Sequence, residues 1–256
     1  MSGALVTPAI VLRRVAYAES DFVVTLLGEH TGRVAGLARG ARRSQRRFPG
    51  GLGLGASGEA RLRDRPTGDL AWLESFEADE PRTGLAADLG RTAHAAYAAE
   101  LCEKLCAPRH PERDAYAWLL EYLRWLERRG ASVVAVRVFE LGLLRRLGIG
   151  PSLEACAACG RPATGDEAVR WRSDGGGVMC VDGHTAGAAR GTMLSAATRR
   201  TLARLGTMSF PDTEAERLTA AENVACRRSI AELLEVHVPG VLKSRAFIER
   251  AAGRVE

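Results

Sequence analysis

The sequence predicts an α+β protein, with a five-stranded OB-type β-barrel at the N-terminus followed by a mostly helical domain that carries a zinc-knuckle insertion. Three patterns predict this fold. Apolar residues alternate with period two up to about residue 80, apolar spacings of three and four begin near Leu85, and a glycine- and cysteine-rich segment occupies about 151–191. The change of period predicts two domains, residues 1–80 and residues 81–256.

The β region contains about five short stretches of strand-forming residues. One strand is predicted to begin at Ala9, and the others cover Asp21–Leu27, Val34–Ala38, Glu59–Arg63 and Leu70–Phe76. Gly32 lies in the turn between the second and third strands, where a positive φ is expected. Five strands are the count of an OB-type barrel, and an SH3-like barrel is an alternative that the sequence does not exclude.

The helical domain is predicted from runs rich in Ala, Leu, Arg and Glu. The predicted helices are Leu85–Cys106, Glu112–Arg129, Val133–Leu147, Ser195–Leu205, Thr213–Val236 and Lys243–Ala251. Pro108 stops the first of them, whereas Gly130 and Gly148 end the next two. The cysteine-rich segment at 151–191 is expected to be irregular.

Charge and composition indicate a globular protein of a reducing compartment. The 256-residue chain has a net charge of +5, and Lys104 and Lys243 are the only lysines among its 36 basic residues. It has no apolar run long enough to span a membrane and no signal-peptide pattern at its start. We therefore expect a cytoplasmic protein whose six cysteines favour metal ligation over disulfides.

A cluster of arginines in the β region is the main candidate for ligand binding. The cluster is acid-free, because no Asp or Glu occurs between His30 and Gly58. Its members are Arg39, Arg42, Arg43, Arg46 and Arg47. Such a cluster repels itself unless a polyanion lies beside it, and phosphates that meet arginines release counterions. The pattern predicts a DNA-binding loop, and the alternative is a solvated basic loop.

Phe48 directly follows the arginine cluster. It is positioned to stack on a base, as aromatic side chains do in single-strand grooves. The alternative is that its ring packs in the barrel core, as most lone aromatic residues do.

The glycines that follow match the spacing G-x-G-x-x-G at Gly53–Gly58. The dinucleotide-binding motif requires a preceding strand and a following helix, and here an arginine loop precedes and a period-two strand follows. We therefore interpret this segment as a flexible loop that joins two strands. The sequence also lacks a P-loop motif and an arrangement of residues that suggests a catalytic triad.

The cysteine-rich segment has metal-ligand spacing. Cys156 and Cys159 form a C-x2-C pair, and Cys180 and His184 follow after twenty intervening residues. Two close pairs of ligands can surround a tetrahedral Zn²⁺ and leave no open position, so the predicted site is structural. Asp182 is the second choice for the fourth ligand, and a knuckle that has lost its metal is the alternative.

The order of these features resembles the RecO family, the bacterial recombination mediators and DNA repair proteins. The resemblance spans nearly the whole chain and is most specific in its first segment. It rests on AIVLRRVAYAESDFVVTLLGEHTGRVAGLARGARRSQRRFPGGL, on the helical middle, on the cysteine knuckle, and on LKSRAFIER at residues 242–250. Zinc-bearing members of the family show a second C-x2-C pair, whereas this chain has Gly183 at the expected position of the last cysteine.

The resemblance implies a non-enzymatic, nucleoid-associated protein that binds single- and double-stranded DNA and anneals complementary strands. Its implied partners are RecR and the single-strand-binding protein SSB, and through them RecA. The arginine cluster then takes the DNA contacts, and Cys156, Cys159 and Cys180 take the metal. Lys243 and Arg245 are candidates for an acidic partner tail, and the alternative for them is a basic helix N-terminus that faces water. Rival hypotheses are a zinc-ribbon adaptor that binds only protein, and an enzyme with an unfamiliar site.

Overall fold

The computed structural model describes residues 4–66, 68–163, 165–174, 176–181 and 191–252. The chain divides into two compact units, Met1–Ala131 with Val241–Glu256, and Ser132–Gly240. The first unit therefore joins the β region to the helices that follow it and to the last helix of the chain. The boundary near residue 80 stays an expectation drawn from the change of sequence period.

The N-terminal β region forms a closed five-stranded barrel with the strand order β1-β2-β3-β5-β4. The strands are β1 (Leu5–Tyr17), β2 (Asp21–Gly28), β3 (Gly32–Ala38), β4 (Ser57–Arg63) and β5 (Ala71–Glu80). β1 pairs with both β2 and β4, while β3 and β5 close the barrel as a parallel pair. This confirms the predicted barrel, and the strands extend beyond their predicted bounds.

Alternating apolar side chains of the five strands fill the barrel. Val24, Leu26, Leu73 and Phe76 are buried there, at 2% exposure or less. Because side chains alternate across a strand, the residues between them point to the outer face of the barrel. The same alternation gave the strands their period-two signature in the sequence.

The turn between β2 and β3 needs glycine for two reasons. Gly32 has φ of +66°, a conformation that favours glycine. A Cβ at this position would also lie 1.9 Å from the carbonyl oxygen of His110. The positive φ predicted for this turn is confirmed. In the glycine-rich segment at 53–58, residues 53–56 form a loop, and the last two residues are the first two of β4.

Three helices follow the barrel within the first unit: α1 (Thr83–Ala86), α2 (Leu89–Leu105) and α3 (Arg113–Arg129). The prediction of one continuous helix from Leu85 to Cys106 was wrong, because the chain breaks at residues 87–88. There the Asp88 carboxylate accepts a hydrogen bond from the Arg91 amide and begins α2 as its N-cap.

A buried arginine connects the end of the barrel to α3. Arg82 has a side chain only 3% exposed, and its guanidinium pairs with Glu80 at 2.5 Å and with Glu127 at 3.1 Å. Glu80 also pairs with Arg124, and the pKa of the Glu80 carboxyl is lowered chiefly by its hydrogen bond from Arg124. Charge pairing therefore offsets part of the cost of burying this guanidinium.

The last helix of the first unit is α7 (Lys243–Ala252), which contacts α2. The Glu100 carboxylate accepts hydrogen bonds from the backbone amides of Lys243 (3.1 Å) and Ser244 (2.8 Å). A carboxylate at this end stabilises the helix, because the first amides of a helix have no partner within it.

The second unit contains the helices α4 (Val133–Arg146), α5 (Ala196–Thr207) and α6 (Ala220–His237). Ser132 and Ser195 cap α4 and α5, and Thr219 with Glu222 forms a capping box at the start of α6. The predicted helix from Thr213 to Val236 is interrupted, since Pro211–Glu214 is a short 3-10 helix that ends before α6 begins.

The cysteine-rich segment also contains a small sheet that the sequence did not predict. Its strands are β6 (Val169–Arg172), β7 (Gly177–Met179) and β8 (Thr192–Leu194), in the order β7-β6-β8. Strands of three or four residues are too short to show a period among so many glycines. Trp171 of β6 is 2% exposed and contributes to the core of this unit.

Candidate nucleic-acid interface and metal centre

The arginine cluster lies in the connection between β3 and β4, and the protein backbone holds this basic loop (residues 39–48) in a defined shape. The amides of Arg43 and Ser44 donate to the Gly40 carbonyl, and the Phe48 amide donates to the Ser44 carbonyl at 3.3 Å. The far end of the loop is fixed to β5, because the Phe76 amide donates to the Arg47 carbonyl at 2.9 Å. The loop is therefore ordered by its own turns and by the barrel.

Asp21, the first residue of β2, holds the near end of the basic loop. Its carboxylate accepts a hydrogen bond from the Gly40 amide at 2.8 Å and another from the Ser20 hydroxyl at 3.0 Å. The Gly40 amide, the Ser20 hydroxyl and the nearby positive charges of Arg39 and Arg47 lower the pKa of this carboxyl below its ordinary value of 3.8. Asp21 is therefore charged at neutral pH and keeps the loop against the β1–β2 turn.

All five predicted arginines are exposed to solvent. Within the described ranges, none of their guanidiniums forms an ion pair with a carboxylate. Two of them donate to neighbouring backbone: Arg47 to the Arg39 carbonyl at 2.6 Å, and Arg42 to the Glu19 carbonyl at 3.2 Å. The loop thus presents a concentrated positive charge that its own surroundings do not neutralise.

Phe48 occupies the barrel core. Its side chain is 2% exposed and belongs to the apolar cluster that fills the barrel. The predicted base-stacking role does not fit this position, because no face of the ring is open to a base. The alternative that the sequence left open, a core aromatic residue, fits it. Phe48 instead anchors the end of the basic loop.

Two aromatic residues that the sequence analysis did not select lie beside the arginines. The guanidiniums of Arg39 and Arg65 lie 4.4 and 4.8 Å from the ring centre of Trp72, which are cation–π distances. Arg14 and Arg42 lie 4.6 and 5.2 Å from the ring centre of Phe22 in the same way.

In each aromatic group one arginine is near in sequence, Arg65 or Arg14, and the other, Arg39 or Arg42, is at least twenty residues away. Spacing along the chain therefore could not reveal the complete groups. The position of the two aromatic residues could have indicated them as candidates. Each lies near the start of a strand, β2 or β5, shortly after a loop.

Three cysteines of the second unit meet in one cluster. The Sγ atoms of Cys156, Cys159 and Cys180 all lie within 4.8 Å of one another, and Cys159 and Cys180 are 3.8 Å apart. A small hairpin positions the first pair, since the Cys156 amide donates to the Arg161 carbonyl and the Ala157 amide to the Val178 carbonyl. Cys180 follows β7 directly, so the sheet brings the third sulfur to the first two. The grouping predicted from spacing is present.

The donor set fits a metal ion. Loss of contact with water and the neighbouring Cys156 and Cys159 raise the pKa of the Cys180 thiol to about 11. The Cys180 thiol therefore resists ionisation, and a divalent cation reverses this by stabilising the thiolate. His184 and Asp182, the two candidates for the fourth ligand, lie outside the described residues.

Lys243 and Arg245, the candidates for partner binding, both lie in the first turn of α7. The Lys243 side chain is exposed, and that of Arg245 is half-buried. The backbone amide of Lys243 is already bonded to Glu100. A pocket beside these residues is lined by basic and acidic side chains, including Arg13, Glu103 and Lys104.

The helices in the described ranges include none with the length and apolar character to cross a membrane. Together, the barrel, its exposed arginine loop, the helical region and the cysteine cluster define an OB-barrel protein with a candidate metal knuckle.

Comparison with known proteins identifies the family within this class. The family models described as Recombination protein O N terminal and Recombination protein O C terminal match residues 1–82 and 86–246. The chain therefore belongs to the RecO family of DNA repair proteins.

Individual relatives support the same assignment, and each of those compared here is described as DNA repair protein RecO. The protein of Anaeromyxobacter dehalogenans (strain 2CP-C) is 39% identical over 240 residues, which is 94% of each chain. That of Anaeromyxobacter sp. (strain Fw109-5) is 38% identical over 97% of each chain. That of Pelobacter propionicus is 34% identical over 94% of this chain and 95% of its own.

Proposed function

We propose that this protein is a non-enzymatic DNA repair mediator that binds single- and double-stranded DNA through the basic loop of its barrel. The observation that carries the proposal is the loop itself, in which five exposed arginines lie on a fixed backbone and form no ion pair with any carboxylate that the structure describes. Arginine matches phosphate geometry because its planar fork donates two hydrogen bonds at once. Membership of a DNA repair family makes DNA the polyanion to test first.

Strand annealing follows from the same charge. Two complementary strands repel each other through their phosphates, and a basic surface that neutralises both lowers this repulsion. Base pairing then supplies the driving force, so no bond chemistry and no nucleotide hydrolysis are needed. In this proposal the protein acts with RecR on single strands coated by SSB and helps RecA to load there. Lys243 and Arg245 are the proposed contacts for an acidic partner segment.

The proposed metal is a structural Zn²⁺ held by Cys156, Cys159 and Cys180, with His184 or Asp182 as the fourth ligand. Thiolates are the ligands that Zn²⁺ favours in structural sites. The ion would link the hairpin at Cys156 to the end of β7. Its contribution is therefore to the folding of the second unit.

The test is DNA binding across a salt series. The protein is compared with a variant in which Arg42, Arg43, Arg46 and Arg47 are all changed to Ala. If all four meet phosphates, the slope of log affinity against log salt for single strands should fall by about 3. The matched control has the same charge change at exposed arginines of other elements, Arg113, Arg128, Arg129 and Arg227.

An equal loss of slope in both variants would show general charge attraction and would overturn the assignment to this loop. Absence of binding at low salt would instead favour an adaptor that binds protein partners only. Annealing is followed separately, by energy transfer between two labelled complementary strands, and is expected to slow in the loop variant alone.

A further inference from the structure

An apolar row crosses the outer face of the barrel. Val15, Val23, Leu37 and Trp72 are register partners on β1, β2, β3 and β5, so each lies beside the next. Register partners point to the same side of a sheet. Val24 and Leu26 pack inside the barrel, so Val23 and the rest of the row face outward. Val15 is 44% exposed, Val23 and Trp72 are half-buried, and Leu37 between them is covered to 6% exposure.

Positive charge surrounds the Trp72 end of this row. Arg39 and Arg65 lie over the indole ring at 4.4 and 4.8 Å. Arg63 is the register partner of Trp72 on β4, and it is neutralised by Glu74 at 2.5 Å. Arg39 and Arg65 form no such pair within the described part of the chain. An aromatic face beside uncompensated guanidiniums is complementary to a nucleotide, which offers a flat base next to a phosphate.

Building on the proposed function, we infer that Trp72 is a stacking platform for an unpaired base, and that it makes this protein bind single-stranded DNA in preference to double-stranded DNA. In the free protein, the Arg39 and Arg65 guanidiniums lie over the ring. On binding, a base takes the place of a guanidinium on the ring, and the released arginine pairs with the adjoining phosphate. A duplex keeps its bases stacked inside the helix, so it meets only the arginines.

The basic loop and the Trp72 platform therefore make separable contributions to the affinity for DNA. The loop arginines bind phosphates of any nucleic acid, and their contribution depends on salt. The platform requires a base, and stacking depends little on salt or on base identity, since every base has a flat face. Arg39 belongs to both, because it is the first arginine of the loop and lies over Trp72.

The experiment compares two single-stranded probes of equal length, an oligothymidine and an abasic oligonucleotide that has the same phosphates without bases. The wild-type protein should bind oligothymidine more tightly by roughly 5- to 150-fold, the range for stacking one base. Trp72→Leu should bind both probes equally while keeping the wild-type affinity and salt slope for the abasic probe. Trp72→Phe should keep the preference, because phenylalanine also stacks.

Tryptophan fluorescence gives a second measurement that a merely structural role of Trp72 would not change. The other three tryptophans, Trp118, Trp125 and Trp171, are no more than 6% exposed. Oligothymidine should therefore quench the emission of Trp72 in the wild-type protein, whereas Trp72→Phe should bind without this quenching. The abasic probe should leave the emission unchanged.

The outcomes separate this inference from the proposed function. Equal affinity of the wild-type protein for the two probes, or an undiminished preference in Trp72→Leu, would overturn the platform and leave the basic loop as a phosphate site. Loss of abasic binding in both Trp72 variants would mean that Trp72 is structural, which also overturns the platform. Failure of the wild-type protein to bind either probe would overturn DNA binding itself.

Discussion

The position of Phe48 leads to a prediction that separates a core residue from a DNA contact. The sequence places Phe48 directly after five arginines, where an aromatic ring is suited to stack on a base. The structure buries it to 2% exposure among the side chains of the barrel. Two substitutions distinguish the roles: Phe48→Leu, which keeps an apolar side chain, and Phe48→Ala, which removes most of it.

The expected magnitudes follow from complete burial. Truncation of a buried phenylalanine to alanine costs about 3–5 kcal/mol of unfolding free energy, because it combines lost transfer energy with a cavity. For a protein of this size that corresponds to a fall in Tm of about 6–20 °C. Phe48→Leu retains most of the contacts and should cost about 1–2 kcal/mol. Neither substitution removes a charge from the loop.

The assay pairs urea unfolding with DNA binding at a temperature where all variants are folded. Phe48→Leu should keep its single-strand affinity, since the ring meets no base in this position. Arg46→Ala is the matched control two residues away, at an exposed side chain. It should keep its stability within about 0.5 kcal/mol, and it should bind DNA less tightly. A Phe48→Leu variant with unchanged stability and roughly fivefold or greater loss of affinity would refute the reasoning.

The remaining predictions concern the metal and the acid response. The purified protein should contain one Zn²⁺ per chain by atomic emission, and Cys159→Ser and Cys180→Ser should each lose it. Cys226→Ser should keep the metal, because Cys226 lies buried in α6; equal retention in all three would contradict the assignment. For Asp21, the lowered pKa means that its carboxylate stabilises the fold above pH 3.8 and that this contribution is lost as pH falls through the lowered value. The stability difference between wild type and Asp21→Asn, measured by urea unfolding, should therefore be constant near neutral pH and shrink below pH 3.8, and a difference that persists in acid would speak against it.

The barrel could be predicted because its signals are local. Strands of seven or more residues show their alternation directly, and the turn at Gly32 is marked by its own glycine. The full length of β1 was hidden because its outer half, from Arg13 to Tyr17, is exposed and only partly apolar. The break before α2 was missed because Asp88 is a polar residue within an otherwise helical pattern, and only its bond to the Arg91 amide shows that it is a cap.

The candidate site likewise contains residues that could be predicted from local sequence and residues that could not. The five arginines lie within nine residues of the sequence, and the C-x2-C pair is recognisable by its spacing, so both were predicted. The parallel pairing of β3 with β5 places Trp72 beside Leu37, and these residues are more than thirty positions apart in the sequence. The burial of Phe48 depends on the closure of the barrel, which the residues around it do not specify. Contacts that depend on how the strands pair in the folded barrel therefore could not be predicted from the sequence.

The placement of α7 has a consequence for how the chain folds during synthesis. The second unit is inserted in the sequence of the first. The residues up to Ala131 and those from Val241 onward fold into the same unit. The barrel strands are synthesised before α7. The Glu100 carboxylate can bond to the amides of Lys243 and Ser244 only after some 140 further residues have been added to the chain. The first unit therefore reaches its final form only after α7 has been translated. A chain truncated before α7 would leave the Glu100 carboxylate without these partners and the α7-facing side of α2 uncovered.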